Sequence, residues 1–274
     1  MFEFICPVCG EKLIRTDKSL VCGKNHCFDK AKSGYVNLLM SQKSHGRNHG
    51  DDKLMVSARR DFLNTGLYAP LCDEICSAAD KYAENGAAIF DAGCGECYYT
   101  AAVEKRLLES GKYADILGID ISRDALAAGS KRSKTLKLAV ASVYKLPIGD
   151  GSCDMLFSIF SPFALEEFQR VMKSGGILIR AIPLENHLFG LKAAVYDNPY
   201  KNEVEPLEID GFELIENRIV ERNIRLSSSA DIMNLFSMTP YYYKTGEKDQ
   251  SKLKALNELD TEISFSVLVY RRKQ

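Results

Sequence analysis

No stretch of this sequence approaches the ~20 consecutive apolar residues that cross a bilayer. Its more apolar segments, such as 87–92 and 177–179, fall far short of that length, so no membrane partner is expected. The opening MFEFICPVCG has neither a basic n-region nor a long apolar h-region, so no secretory leader is read and a cytoplasmic protein is expected. An excess of charge of one sign is also missing: 36 Lys and Arg stand against 37 Asp and Glu, which excludes a uniformly basic nucleic-acid coat. With 46% apolar and 27% charged residues, disordered and collagen-like classes are excluded as well. A length of 274 residues predicts one large domain, or one large domain with a small one.

The charge is unevenly placed. Residues 1–50 sum to +4 and the remainder to −5, a basic amino-terminal module on an acidic body. Four of the nine cysteines fall in the first 27 residues. An odd count without an export signal speaks against a disulfide framework. Cys6-Pro-Val-Cys9 is followed, after twelve residues, by Cys22-Gly-Lys-Asn-His26-Cys27. Two thiolates in one tight turn grip one ion, and a second pair from the far end of a hairpin completes a tetrahedron. The set expected is Cys6, Cys9, Cys22 and His26, with Cys27 as the second choice for the fourth place. Four protein ligands make a structural Zn2+ rather than a catalytic one, and so short a segment could scarcely fold without it.

Residues 28–39 mix Lys with Phe and Tyr, as base stacking and phosphate contact would need. Packing of Phe28, Tyr35 and Leu38 onto the main body is the plainer account. The stretch 41–52 lacks apolar residues and reads as a linker, with His45 and His49 solvated. Two helices are expected between 53 and 85, broken near Gly66 and Pro70. Strands and helices then alternate: 87–92 into a glycine turn and a helix at 97–109, 116–121, a helix from about 124, 138–141, 155–160, a helix at 164–173, a Gly175-Gly176 turn, and 177–182. This pattern predicts an α/β, doubly wound Rossmann-like sheet with its ligand above the carboxyl ends of the strands. The run 263–270 should close the sheet as an antiparallel strand.

The glycine turn reads Asp91-Ala92-Gly93-Cys94-Gly95-Glu96-Cys97. An acid before Gly93 would repel a pyrophosphate but could meet the ammonium of a methionine moiety, so S-adenosylmethionine (SAM) fits better than a dinucleotide. Asp120 should accept the ribose hydroxyls, and Ala141-Ser142 should lie along the adenine edge. The expected cofactor set is Asp91, Gly93, Gly95, Tyr99, Asp120, Ile121, Ala141 and Ser142.

At this point the chain resembles the bacterial 23S rRNA (guanine-N1)-methyltransferases, which join a zinc ribbon to a class I SAM-dependent methyltransferase domain. The resemblance rests on CPVC with the following Cys and His, FDKAKSGYVNLL at 28–39, ARRDFL at 58–63, DAGCGECYYT at 91–100, GIDIS at 118–122, SPF at 161–163, HLFGLKAAVY at 187–196 and MTPYYY at 238–243. It implies a ribbon at 1–40, a linker and helical lead-in at 41–85, and a SAM domain at 86–274. It also implies methylation of guanine N1 in a 23S rRNA hairpin that the ribbon helps to grip. Cys97 departs from the pattern, standing where the family has the third glycine of the SAM loop, so its side chain is expected to crowd the cofactor.

Methyl transfer to a ring nitrogen mainly requires alignment. The stretch Ile159-Phe160-Ser161-Pro162-Phe163 lacks the Asn or Asp that would accept an exocyclic amine, which favours a ring atom. Ser161 and Phe163 are the candidates there, Phe163 as a base-stacking ring, and His187 is the candidate to accept or shuttle the N1 proton. Tyr241, Tyr242 and Tyr243 either line the guanine pocket or pack on the surface. Cys72, Cys76 and Cys153 read as core residues. A homodimer is left open. Two alternatives stand beside this reading: a small-molecule methyltransferase with a structural zinc cap, and an RNA- or SAM-binding module impaired by Cys97. Cys6→Ser is expected to release zinc and unfold the ribbon alone.

Overall fold

The computed structural model describes residues 2–40 and 50–274; His45 and His49 lie outside the described residues. The ribbon is a three-stranded antiparallel sheet, β1 (Ile14–Arg15), β2 (Ser19–Val21) and β3 (Cys27–Asp29), followed by a short strand β4 (Val36–Asn37). Two helices come next. The first, α1 (Lys53–Leu63), is capped by Asp52, whose carboxylate accepts the Met55 N–H at 3.0 Å. Gly66 then takes φ +80°, and α2 (Ala69–Tyr82) starts with proline in its first turn, the break the sequence predicts.

The body alternates as expected: β5 (Ala87–Ala92), α3 (Tyr98–Glu109), β6 (Ala114–Asp120), α4 (Arg123–Arg132), β7 (Lys137–Val140), β8 (Cys153–Ile159), α5 (Leu165–Val171), β9 (Met172–Pro183) and α6 (Phe189–Val195). A long hairpin follows, β10 (Phe212–Leu226) and β11 (Leu259–Arg272), interrupted by α7 (Ser229–Ser237) and α8 (Glu247–Lys254). These strands build one eight-stranded sheet in the order β10-β11-β9-β8-β5-β6-β7-β4. Strands β4 to β9 run parallel along it, and β11 is antiparallel to both of its neighbours. The final strand therefore does not lie at the edge; it is inserted between β9 and β10, because β10 returns alongside it to cover its far side. The expected Gly175-Gly176 turn survives as a loop-out within β9, since the pairing with β8 jumps from Met172 to Ile177.

Side-chain alternation divides the core. Ile89, Ile116, Leu138, Phe157 and Ile179 face α2, α3 and α4, while Phe90, Leu117, Ala139, Leu156 and Leu178 face the other way. On this second face α5 covers the centre, and no helix joins β7 to β8. The ribbon fills the space instead. Phe2, Phe4, Leu13, Leu20, Val36 and Leu38 are buried in the same cluster as Phe90, Leu117 and Ala139. The Phe2 and Phe90 rings meet edge to face at 6.4 Å. The Phe2 N–H donates to Asp115 at 2.8 Å, Lys137 pairs with Glu3 and Asp115 at 2.8 Å each, and β4 extends the main sheet beside β7.

Residues 2–40 are thus not a free-standing unit. Leu38 is buried in this shared core, Phe28 packs against it half-buried, and Tyr35 packs half-buried against the core on the opposite face, so the plainer account of these side chains is the one the structure follows. The shared core overturns the expectation that losing Cys6 would unfold the ribbon alone: the face over β6 and β7 would be stripped with it. Phe2→Ala should cost about 3 kcal/mol and lower a single cooperative transition in scanning calorimetry; two separate transitions in the wild-type protein would contradict the shared core.

Candidate active site at the sheet switch point

Strand order reverses at β5, which pairs with β6 on one side and β8 on the other. Ligands of open α/β sheets bind above such a point, at the carboxyl ends of the strands. The glycine turn leaves β5 here. Gly93 has φ +101°, and a Cβ on it would lie 2.5 Å from the Ser161 Cβ, so the turn and the loop after β8 touch only because Gly93 has no side chain. Asp91 is buried, and its Oδ2 accepts the Thr100 hydroxyl at 2.5 Å. Its Oδ1 has no hydrogen-bond partner among the described residues, nor has the buried hydroxyl of Tyr99 in the first turn of α3. Burial pushes the Asp91 pKa up to about 7.

Asp120 ends β6, accepting the Gly95 N–H at 2.9 Å and the Ser122 N–H at 2.8 Å. These bonds aim its carboxylate across the turn and leave acceptor capacity on both oxygens. Burial raises its pKa. Ile121 follows, packed so closely on Gly50 that a Cβ there would stand 2.5 Å from its Cγ2. Ala141 donates its N–H to the Asp120 carbonyl at 3.2 Å, and Ser142 Oγ accepts the Tyr144 N–H at 3.3 Å. The eight residues expected to hold the cofactor therefore gather at the carboxyl ends of β5, β6 and β7. A carboxylate oxygen without a partner, beside two glycines that bare the backbone of the turn, fits the ammonium of SAM.

Cys97 does not crowd that turn. It takes φ +61° as the cap of α3 and is fully buried, and its sulfur points to α4, where a Cβ on Gly129 would lie 2.6 Å from it. A glycine on the neighbouring helix makes the room that the loop position lacks. Glu96 is held from outside by Arg132, with an oxygen–nitrogen distance of 2.6 Å.

The acceptor side differs from expectation. Ser161 abuts Gly93 and its hydroxyl lies 3.1 Å from that of Ser158. Phe163 is taken by the protein: the Arg180 guanidinium sits 4.1 Å from its ring centre and Phe168 packs edge-on at 5.1 Å. The exposed ring is Phe160, at φ +53°. His187 is buried, its Nδ1 accepts the Ser264 N–H at 3.3 Å, and Nε2 lies 3.4 Å from the Tyr68 hydroxyl. Burial lowers its pKa to about 3. A neutral ring with both nitrogens engaged has no path for a proton to a substrate, so the shuttle role assigned to His187 is withdrawn. The three tyrosines part company: Tyr241 donates to Asn202 at 3.0 Å, Tyr242 packs on Phe236, and exposed Tyr243 bonds Asp52.

In the ribbon, the Sγ atoms of Cys9 and Cys22 are 3.7 Å apart, and His26 Nδ1 lies 3.5 Å from Cys6 Sγ and 3.3 Å from Cys22 Sγ. Two thiolates at ~2.3 Å from a tetrahedral zinc stand about 3.8 Å apart, so the four donors already have the spacing the ion needs. Exposed Cys27 is left out of the group. The knuckle adjoins the cofactor end of the sheet: Ile5 N–H donates to Pro147 at 2.8 Å and Lys145 reaches the Pro7 carbonyl at 3.5 Å, both from the loop after β7.

Comparison with known proteins follows these two parts. Residues 4–47 match the family model described as RlmA, N-terminal, and residues 90–180 match a methyltransferase domain. A Bacillus subtilis (strain 168) protein provisionally named 23S rRNA (guanine-N(1)-)-methyltransferase YxjB is 30% identical over 97% of this chain and 96% of its own. The chain belongs to that family. The 23S rRNA (guanine(748)-N(1))-methyltransferase of Streptomyces fradiae is 34% identical over 69% of this chain and 66% of its own. Among solved structures, a methyltransferase-like protein from Bacillus halodurans C-125 superposes with a TM-score of 0.49 at 11% identity, over 74% of this chain and 99% of that one.

Two residues of this methyltransferase that sequence reasoning passed over stand at the site. Phe160 was hidden behind Phe163, because nothing in the string FSPF tells which ring is turned outward. Arg59, within ARRDFL, pairs with Asp51 and donates to the Met238 carbonyl at 3.2 Å, and its charge acts on Asp120 and Glu96.

Only the ionised form of Asp91 accepts an ammonium, and its pKa near 7 means that most of the free protein carries it protonated below neutrality. SAM affinity should therefore rise about tenfold from pH 5.5 to 7, a window in which an α-amino group stays charged, and Asp91→Asn should flatten the profile in calorimetric titration. A flat wild-type profile would contradict this. Asp120→Ala should weaken SAM by about 2 kcal/mol; unchanged affinity would mean that the ribose lies elsewhere.

Proposed function

We propose that this protein transfers a methyl group from SAM to N1 of one guanine in a hairpin of 23S rRNA. The observation that carries the reading is the continuity of the family relation through the whole chain, ribbon and glycine turn alike, together with the placement of the zinc knuckle beside the cofactor end of the sheet. Exposed Lys12, Arg15, Lys18, Lys24 and Lys32 give the ribbon the cationic surface that a phosphate backbone needs. Ribbon, turn and acceptor loop all belong to one chain, so the reading does not require a homodimer. It puts the protein in the cytoplasm, where the ribosomal substrate is made.

The bound cofactor would supply a methyl group activated on sulfonium. Asp91 would hold the ammonium and Asp120 the ribose, fixing where the reactive carbon stands. The contact of Ser161 with Gly93 brings the acceptor loop against that position, so the protein contributes chiefly alignment of nucleophile, carbon and leaving group. The loop after β8 presents Ser161 and Pro162 where an acceptor for an exocyclic amine would need an amide or carboxylate, in keeping with a ring nitrogen as nucleophile. Transfer would break the bond from sulfur to the methyl carbon, leaving the neutral thioether of S-adenosylhomocysteine, and would release the N1 proton to water.

A methyl on N1 blocks the Watson–Crick edge. Primer extension on 23S rRNA incubated with the protein and SAM should show one new stop at a guanine, abolished by prior RNase treatment. No stop, with no label incorporated from radioactive SAM, would contradict the reading; label surviving RNase would point to a small-molecule acceptor.

A further inference from the structure

We propose that Phe160 is the ring on which the target guanine stacks during methyl transfer, an inference that rests on the function read above and names the residue that would receive its base. Phe160 follows directly on β8 and precedes Ser161, whose Cβ is held against Gly93 of the cofactor turn. A bulky side chain seldom adopts positive φ, and Phe160 stands at +53° with 47% of its surface exposed. Relaxing that residue to the extended conformation would continue β8 and turn the ring elsewhere. The fold accepts both a disfavoured backbone and a wetted phenyl group to keep the ring where it is, and such costs gather at ligand sites.

The ring is supported from the protein side. Tyr99, on the first turn of the helix that follows the cofactor loop, meets it edge-on at 6.4 Å, and Phe265 of β11 lies tilted at 5.4 Å. Phe265 is itself wedged between Tyr68 at 5.0 Å and His187 at 4.2 Å. This gives His187 a place in the account as part of the wall behind the ring. Purines offer a flat apolar face to such a surface, and stacking needs no polar partner. Phe163, the alternative platform, has one face covered by Arg180. Among the described residues, the exposed Tyr113 stands before β6, Tyr200 stands after α6, and Tyr243 is bonded to Asp52.

Three variants test this on the full-length, zinc-loaded protein with 23S rRNA and SAM. Glycine adopts positive φ freely, so Phe160→Gly removes the ring without straining the turn. It should retain SAM affinity within about twofold and thermal stability at or near wild type, while kcat/KM for rRNA falls about thirtyfold, in the range of one lost base stack. Phe160→Tyr should stay within about threefold of wild type, and Phe160→Leu, apolar but without a π face, should fall at least tenfold below Phe160→Tyr. Wild-type turnover by Phe160→Gly, or a loss matched by lost SAM affinity, would overturn the proposal. If Phe160→Gly does not fold, equal turnover of the Leu and Tyr variants would overturn it and the stated gap would support it. Absence of transfer by the wild-type protein would fell the functional reading, and this inference with it.

Discussion

A carboxylate buried with one oxygen unpartnered is a costly thing to fold, and the arrangement of this molecule follows from Asp91 being one. The Thr100 hydroxyl offsets part of the cost, and burial still holds the pKa well above the ordinary carboxylate range. Around it the chain withholds side chains: Gly93 lets the loop after β8 close in, and Gly95 gives its N–H to Asp120. A cation brought to this turn finds an acceptor already fixed in place. Tyr99, with its own unpartnered hydroxyl, stands in the first turn of the helix that leaves this loop. The free protein thus carries a desolvation cost that a cationic ligand would relieve.

The ribbon depends on the sheet in a comparable way. Its zinc ligands have the right spacing, yet its apolar side chains are spent on the strands of the body rather than on a core of its own. A module this small has little to bury by itself. By occupying the face that the helix-free β7–β8 connection leaves open, it joins a metal-stapled basic surface to the cofactor end. The geometry of the knuckle and that of the cleft are therefore coupled through Phe90, Lys137 and the loop that holds Pro147.

What could be read from the sequence was whatever depends on short-range spacing. The four zinc ligands, the glycine turn, Asp120 at its strand end and the alternation from β5 to β9 are local patterns, and each has its physical reason within a few residues. Long-range arrangement was another matter. The direction of the Cys97 side chain is decided by Gly129, thirty-two residues away on a different helix, so its apparent conflict with the cofactor could not be resolved from the loop alone. Whether Phe160 or Phe163 faces solvent depends on the sign of one backbone dihedral and on an arginine from the next strand. His187 looked available because its partners, Tyr68 and Ser264, come from distant segments. The placement of β11 between β9 and β10 required the charged, weakly patterned β10, whose outward residues disguise it as surface.

The central claim is that Asp91 receives the ammonium of SAM, and proton exchange on binding tests it most directly. Calorimetric titration of SAM at pH 7, in two buffers of different ionisation enthalpy, should show net proton release on binding, since ligation by a cation forces a carboxyl whose pKa burial has raised to about 7 to ionise. The release should vanish in Asp91→Asn. Equal proton exchange by the two proteins, or no binding by the wild type, would contradict the account.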